Sequence, residues 1–288
     1  MSRVALLAER LRVEERLLIA AFARHGWEAT LLRPADLILP LHGAQALGAL
    51  DLPSLPPAVL DRTAATPESV ALSALLTATG TRVVNRTATT RLLADRLAFL
   101  RHLLAGQILI PPTVASFGPE STLRAIEALG YPVYLKALSA GPAMPVALVE
   151  DRDAAEALVE HRAVLGDERA VLVQKAVADP GQTVRLVVAG QRLIAAARLV
   201  DERWQLIDRA IWERLAGAVA QRLGSGVYEI EAAETDAGQV VISAGNLLEF
   251  RSLAELGVPV AEAIAEHLLE VVTEGAEASP IQSEGVSV

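Results

Sequence analysis

The sequence predicts a mixed chain, α/β at its start and α+β beyond, with a small doubly wound unit followed by two α+β lobes. Three observations lead there. Short apolar runs alternate with amphipathic helical ones through the first part of the chain; after Asn85 one long amphipathic stretch breaks that alternation; and past residue 170 two apolar runs joined by a tight turn read as an antiparallel hairpin.

In the first unit, RVALLAE (3–9) is a strand, VEERLLIAAFARHG (13–26) a helix closed by Gly26, and WEATLL (27–32) a second strand. PPAVLDR (56–62) and TRVVNR (81–86) supply two more strands. Between them lies the helix PESVALSALLTATG (67–80), with Pro67 near its start and Gly80 just past its end. No G-x-G-x-x-G follows the first strand, so LAERLRVEE does not suit a dinucleotide pyrophosphate.

The second region opens with a helix over 88–106, whose Leu92, Leu93, Leu97, Leu100 and Leu104 fall on one stripe. A strand at PTVAS (112–116), a helix at 118–130, strands at YPVYLKAL and PVALVE, and a helix at 151–166 capped by Asp151 make the first α+β lobe. AVLVQKAV (170–177), the hairpin TVRLVVAG and QRLIAAARLV, a helix at 209–223, strands at 226–234 and 239–245 and a helix from about Val260 to Glu274 make the second. The expected division is 1–87, 88–173 and 174–275, with 276–288 as a polar, flexible tail.

Composition narrows the function classes. The net charge is -9 and the 26 basic residues are scattered singly, which leaves no footprint for nucleic acid. No apolar run reaches the roughly 18 residues of a membrane helix, and the first residues are charged where a secretory signal is apolar. The absence of cysteine removes thiol chemistry and suits a cytoplasmic protein. His25, His42, His102, His161 and His267 are isolated and read as solvated helix positions, and no G-x-S-x-G is present. Glu229 and Glu231, two apart on a strand, share a face.

VVNR (83–86) before a helix carrying an acid-base pair, GYPVYLKAL (130–138), VQKAV (173–177), GQTVRLVVAGQRLIAA (181–196) and VVISAGN (240–246) form an ordered series. In order and spacing, over Val4 to about Glu270, it resembles the ATP-grasp ligases of the RimK and LysX type. That resemblance implies an ATP-grasp architecture, with two lobes forming a nucleotide cleft, and the joining of a carboxylate to an amine through an acylphosphate made from ATP and Mg²⁺. It implies that Lys136 and Arg96 meet phosphates, that the backbone of Gln174, Lys175, Ala176 and Val177 meets adenine, that Arg185 serves the phosphates and substrate, and that Glu231 and Asn246 hold Mg²⁺. The implied partner is an amino-group carrier protein or an active paralogous ligase, and the implied assembly a homodimer. Arg192, Arg198 and Arg203 are the candidate basic patch for an acidic carrier.

From the residues alone, Lys136 also reads as a strand lysine reaching a lobe edge, Glu231 as a solvated sheet carboxylate and Asn246 as a loop cap. Glu249 and Arg251 read as a salt bridge at a helix start. Departures from the family pattern then bear on activity. The lid SAGPAMPV carries Pro142 and Pro145, which remove N–H donors, and no arginine. The hinge reads Gln174-Lys175, with a cation where an acid is usual; Thr183 replaces an acid; Ser243 and Ala244 stand where the metal strand has an amide and a carboxylate; and only DERWQLID links the hairpin to the next helix. Together they favour a nucleotide site that is weak or non-catalytic. An active ligase and a nucleotide-independent binding module or partner of an active paralogue are the alternatives.

Overall fold

Parallel strands with apolar residues on both faces need a layer on each side. In the computed structural model, which describes residues 3–39, 41, 55–141, 146–165, 170–178 and 182–277, the first four strands are arranged so. β1 (Arg3–Leu7), β2 (Glu28–Leu32), β3 (Ala58–Asp61) and β4 (Arg82–Val84) form a parallel sheet in the order β2-β1-β3-β4. Val4, Leu6, Ala58 and Leu60 pack with Leu18 and Phe22 of α1 (Val13–Arg24), while Ala5, Leu7 and Val59 pack with Leu76 of α2 (Pro67–Ala78). Thr66 caps α2, accepting from the Ser69 N–H at 3.2 Å.

A five-stranded antiparallel sheet stands at the centre, in the order β11 (Arg203–Leu206), β10 (Arg192–Val200), β9 (Val184–Gly190), β12 (Gly226–Thr235) and β13 (Gly238–Gly245). Its period-2 alternation builds two cores. Val184, Leu186, Val188, Tyr228 and Ile230 pack with α3 (Thr87–Ala94), α4 (Arg96–Ala105) and α7 (Glu213–Leu223). Val187, Ala189, Ala195, Ala197 and Val227 pack with α1, α8 (Arg251–Glu255) and α9 (Val260–Glu277). The parallel and central sheets are joined directly: Asn85, just after β4, accepts from the Val227 N–H at 2.5 Å and donates to its carbonyl at 2.7 Å. A Cβ on Gly226 would lie 2.2 Å from the Asn85 Oδ1, so this approach requires glycine.

The remaining sheet, β5 (Thr113–Ser116), β8 (Val171–Lys175), β6 (Val133–Ala137) and β7 (Val146–Val149), is antiparallel in that order. α5 (Pro119–Leu129) and α6 (Arg152–Leu165) cover one face, over Val133, Leu135, Val171 and Val173. Asp151 caps α6 as expected, accepting from the Ala154 N–H at 2.8 Å. Doubly wound and α+β parts thus occur in the predicted order.

Several expectations are corrected. The helix over 88–106 is two helices, broken at Asp95, which takes an extended conformation and caps α4 through the Ala98 N–H at 2.9 Å. The tertiary cause is Ser139, bridged to Asp95: the Arg96 N–H donates to the Leu138 carbonyl and the Ala140 N–H to that of Ala94, both at 2.8 Å. The break turns the stripe, so Leu103 is buried and Leu104 is 53% exposed. DERWQLID contributes a strand, β11, paired with the end of β10. The helix expected at 209–223 begins with a 3-10 turn, Arg209–Ile211, before α7. His267 is buried rather than solvated, against the turn at Gly190, and His102 bonds the Arg222 carbonyl at 2.8 Å. His42, Pro142 and Pro145 of the expected lid, and the tail from 278 lie outside the described residues.

Candidate functional site

Alternation along β6 and β8 decides what faces the central sheet. With Val133, Leu135, Val171 and Val173 under the helices, Tyr134, Lys136, Leu172 and Gln174 must face the other way. Lys136 is 7% exposed; its Nζ donates to Gln174 Oε1 at 2.7 Å and sits 5.5 Å from the Tyr134 ring centre. Gln174 is fixed in turn by Thr113, whose Oγ1 accepts from Nε2 at 3.1 Å. Burial pulls the Lys136 ammonium down to about 8, Glu231 opposing the fall and Arg96 adding to it.

The same alternation turns Lys175 away. Its Nζ donates to the carbonyls of Gly130 at 3.0 Å and Tyr131 at 2.8 Å, so the cation read beside the adenine is committed to the turn before β6. The Ala176 N–H is likewise bound, to the Pro132 carbonyl at 3.1 Å. Lys175 and Val177 border a cavity of about 120 Å³, between the two antiparallel sheets, which Lys136, Gln174, Tyr134 and Glu231 also line.

Lys136 and Gln174 also open onto a second cavity, of about 300 Å³, with Arg96, Gly141 and Asn246. Arg96 grips the loop that follows β6, its Nη1 donating to the carbonyls of Ala137 at 2.9 Å and Ser139 at 2.6 Å. Gly141 has φ +126° and a Cβ there would meet the Thr66 methyl at 2.9 Å, so a glycine lets this loop rest on the N-terminal unit. Asn246 is 1% exposed, and neither its Oδ1 nor its Nδ2 has a hydrogen-bond partner among the described residues. It caps no loop. A buried amide left so is rare enough to need a reason, and the residue borders this cavity.

On β9 and β12 the face that carries Val187 and Val227 continues outward as Arg185, Glu229 and Glu231. A third cavity, of about 290 Å³, lies over them. The Arg185 guanidinium stacks 4.2 Å from the Trp204 ring centre, donates to the Glu249 carbonyl at 3.1 Å and places Nε 3.5 Å from Glu229. Burial pushes the Glu229 carboxyl up, Arg185 pulling against it. Glu231 accepts from the Ser243 hydroxyl at 2.9 Å across the strand pair.

Glu249 and Arg251 do not pair with each other. Glu249 lies 3.7 Å from Arg12, and Arg251 joins Glu255 at 2.9 Å. Arg192 pairs with Glu266 at the end of β10 remote from Arg198 and Arg203, so the three arginines form no single patch. Trp204 and the Asn85 clamp were not legible as site features. Trp204 sits on a short strand without alternation, and the clamp joins residues 142 positions apart.

Known proteins resemble this chain in sequence and in fold. The family described as the LysX preATP-grasp domain matches residues 4–92. A crystal structure of a RimK-domain ATP-grasp protein from Sphaerobacter thermophilus is 51% identical, covers 93% of this chain and 100% of its own, and superposes with a TM-score of 0.82. This chain belongs to the RimK-type ATP-grasp family. Glutamate--LysW ligase ArgX of Sulfurisphaera tokodaii is 23% identical over 285 residues, 93% of this chain and 98% of the relative. The ATP-grasp ligase PsnB, solved with minimal precursor, Mg and ADP, has a TM-score of 0.69 at 17% identity over 94% of this chain and 98% of its own, a likeness of fold.

The donors present fit a nucleotide better than a protein-held Mg²⁺. Lys136, Arg96 and Asn246 line one cavity, and its two cations suit phosphate oxygens. Glu231 lines the other two, so it and Asn246 do not share a cavity. Ser243, Ala244 and Gly245 border both the Asn246 cavity and the Glu231 cavity over Arg185; Ser243 faces Glu231 with a hydroxyl, Ala244 turns its methyl to the core on the opposite face, and none of the three brings a carboxylate. Among the described residues no group of three His, Asp or Glu side chains is placed to hold a metal ion. Mg²⁺ bound through one or two carboxylates plus phosphates would rest here on Glu231, since Glu229, the other carboxylate over that cavity, lies beside Arg185.

Proposed function

We propose that this ATP-grasp protein keeps the nucleotide cleft of a LysX-type carboxylate-amine ligase but has lost its hold on Mg²⁺, so that it binds ATP weakly and does not turn it over. The observation that carries this reading is Ser243, which faces Glu231 across the strand pair and brings a hydroxyl, not a second carboxylate, to the junction of the Glu231 and Asn246 cavities. Phosphoryl transfer relies on positioning and charge neutralisation, and a cleft with Lys136 and Arg96 but one carboxylate for the metal supplies only part of that. In this reading Lys136 and Arg96 meet phosphates, Gln174 to Val177 border the adenine, and Arg185 with Trp204 lines the substrate side.

The reading extends to assembly. We place an N-terminal unit over 1–87 and lobes over 88–173 and 174–275 around the cleft, in a cytoplasmic homodimer. Its partner would be an amino-group carrier protein, given the relative named for LysW ligation, or an active paralogous ligase. Asn246 favours a second reading, an active ligase acting through an acylphosphate on an amino acid or a carrier protein, because an unpartnered buried amide beside Lys136 is costly to keep without a ligand. Supplying a second carboxylate separates the two. Under the first reading Ser243→Glu strengthens ATP binding in the presence of Mg²⁺ and does not strengthen it without the metal. ATP-dependent amide formation by the unaltered protein would establish the second reading instead.

A further inference from the structure

Thr113, Gln174 and Tyr134 stand in one row across the neighbouring strands β5, β8 and β6, and Lys136 lies two residues beyond Tyr134 on the same face. A chain of hydrogen bonds follows this row. The Thr113 hydroxyl donates to the Pro111 carbonyl at 2.7 Å, so its proton is spent and its oxygen can only accept. What Gln174 turns toward it at 3.1 Å must therefore be the amide N–H, which leaves the amide oxygen for the Lys136 Nζ at 2.7 Å. A hydroxyl on the edge strand thus dictates which way the glutamine amide points.

The consequence falls on Lys136. Gln174 is 1% exposed and neutral, so its oxygen steadies the ammonium without cancelling its charge, as a carboxylate there would. A flipped amide would aim N–H at the ammonium and favour the neutral amine. Among the described residues, the other charged or titratable groups around Lys136 are Glu231 of β12, which favours the ammonium, Arg96 of α4, which opposes it, and Tyr134, whose ring centre lies 5.5 Å away. Lys175, next along β8, is turned to the Gly130 and Tyr131 carbonyls.

We propose that Thr113 is a positioning residue: through the Gln174 amide it fixes the acceptor that holds Lys136 charged and in place beside the cleft. This role serves nucleotide binding only if Lys136 meets phosphates, as in the proposed function, whereas its effect on Lys136 itself is independent of any ligand.

Lys136 and Lys175 are the chain's two lysines, so protein labelled with ¹³C at lysine Cε gives two side-chain NMR signals, and Lys136→Met assigns them. The Lys136 signal should titrate near pH 8. In Thr113→Val that midpoint should fall by about one pH unit, the worth of a hydrogen bond to a charged group, whereas Thr113→Ser, which keeps the hydroxyl, should retain the original midpoint. ATP binding at pH 8 should weaken about fivefold in Thr113→Val and not in Thr113→Ser. Where Thr113→Val fails to fold, Gln174→Met, which removes the oxygen that Thr113 aims, should lower the midpoint in the same direction. A midpoint unchanged in Thr113→Val or in Gln174→Met, even with stability lost, or one that falls as far in Thr113→Ser, would overturn the proposal. The expected shift without any ATP binding would uphold the positioning role and contradict the nucleotide reading.

Discussion

Lys136 owes its state to its surroundings rather than to its strand. Burial holds its ammonium near 8 against an ordinary 10.5, so over that interval the unfolded chain carries a proton that the folded one has released. The Lys136 contribution therefore makes stability rise with pH between about 8 and 10.5, and urea unfolding of Lys136→Met should lack that rise. Under the proposed function the phosphate meets Lys136 in its charged form. ATP affinity should accordingly fall above pH 8, by up to about tenfold per unit, and calorimetry across that range reads it directly. Asn246 makes the opposite trade: its amide has no partner among the described residues, so Asn246→Leu should raise stability by about 1 kcal/mol or more while weakening nucleotide binding. Thermal unfolding with and without ATP separates those two effects.

Elements set the site's geometry by simple periodicities where those hold and by tertiary contacts where they do not. The run VYLKA alternates cleanly, and Lys136 as the strand lysine of the cleft was legible in the sequence; that Lys175 turns back to the Gly130 and Tyr131 carbonyls was not, because the hinge resemblance sets it beside the adenine. The break at Asp95 was not, because the leucine stripe runs through it and its cause is a bridge to Ser139, 44 residues on. β11 was illegible for a related reason: RWQL has no apolar alternation and is a strand only because β10 is there to pair with. The Arg62 and Glu15 pair likewise joins positions 47 apart that only the winding of the parallel sheet brings together. Asp95→Ala, which removes the cap of α4, should cost about 1 kcal/mol, and Gly226→Ala, which forces the Asn85 clamp apart, about 1–3 kcal/mol. Chemical denaturation of each variant provides the comparison; a neutral Gly226→Ala would mean the clamp yields easily.

At the scale of the whole molecule, the ordered motif series identified the family, and the three sheets with their covering helices follow from the apolar patterns that carry it. What the series left open is activity, because the changed positions fall around the nucleotide rather than in the cores. Among them Lys175 borders the smaller cavity but is held by the Gly130 and Tyr131 carbonyls, whereas Ser243, which faces Glu231, brings a hydroxyl where a second carboxylate would hold a metal. The central claim, a retained cleft with a lost metal grip, rests on that position. Calorimetric titration of the unaltered chain with ATP, with and without Mg²⁺, tests it most directly. The account predicts weak binding that Mg²⁺ does not strengthen; binding in the low micromolar range with a clear Mg²⁺ requirement would contradict it.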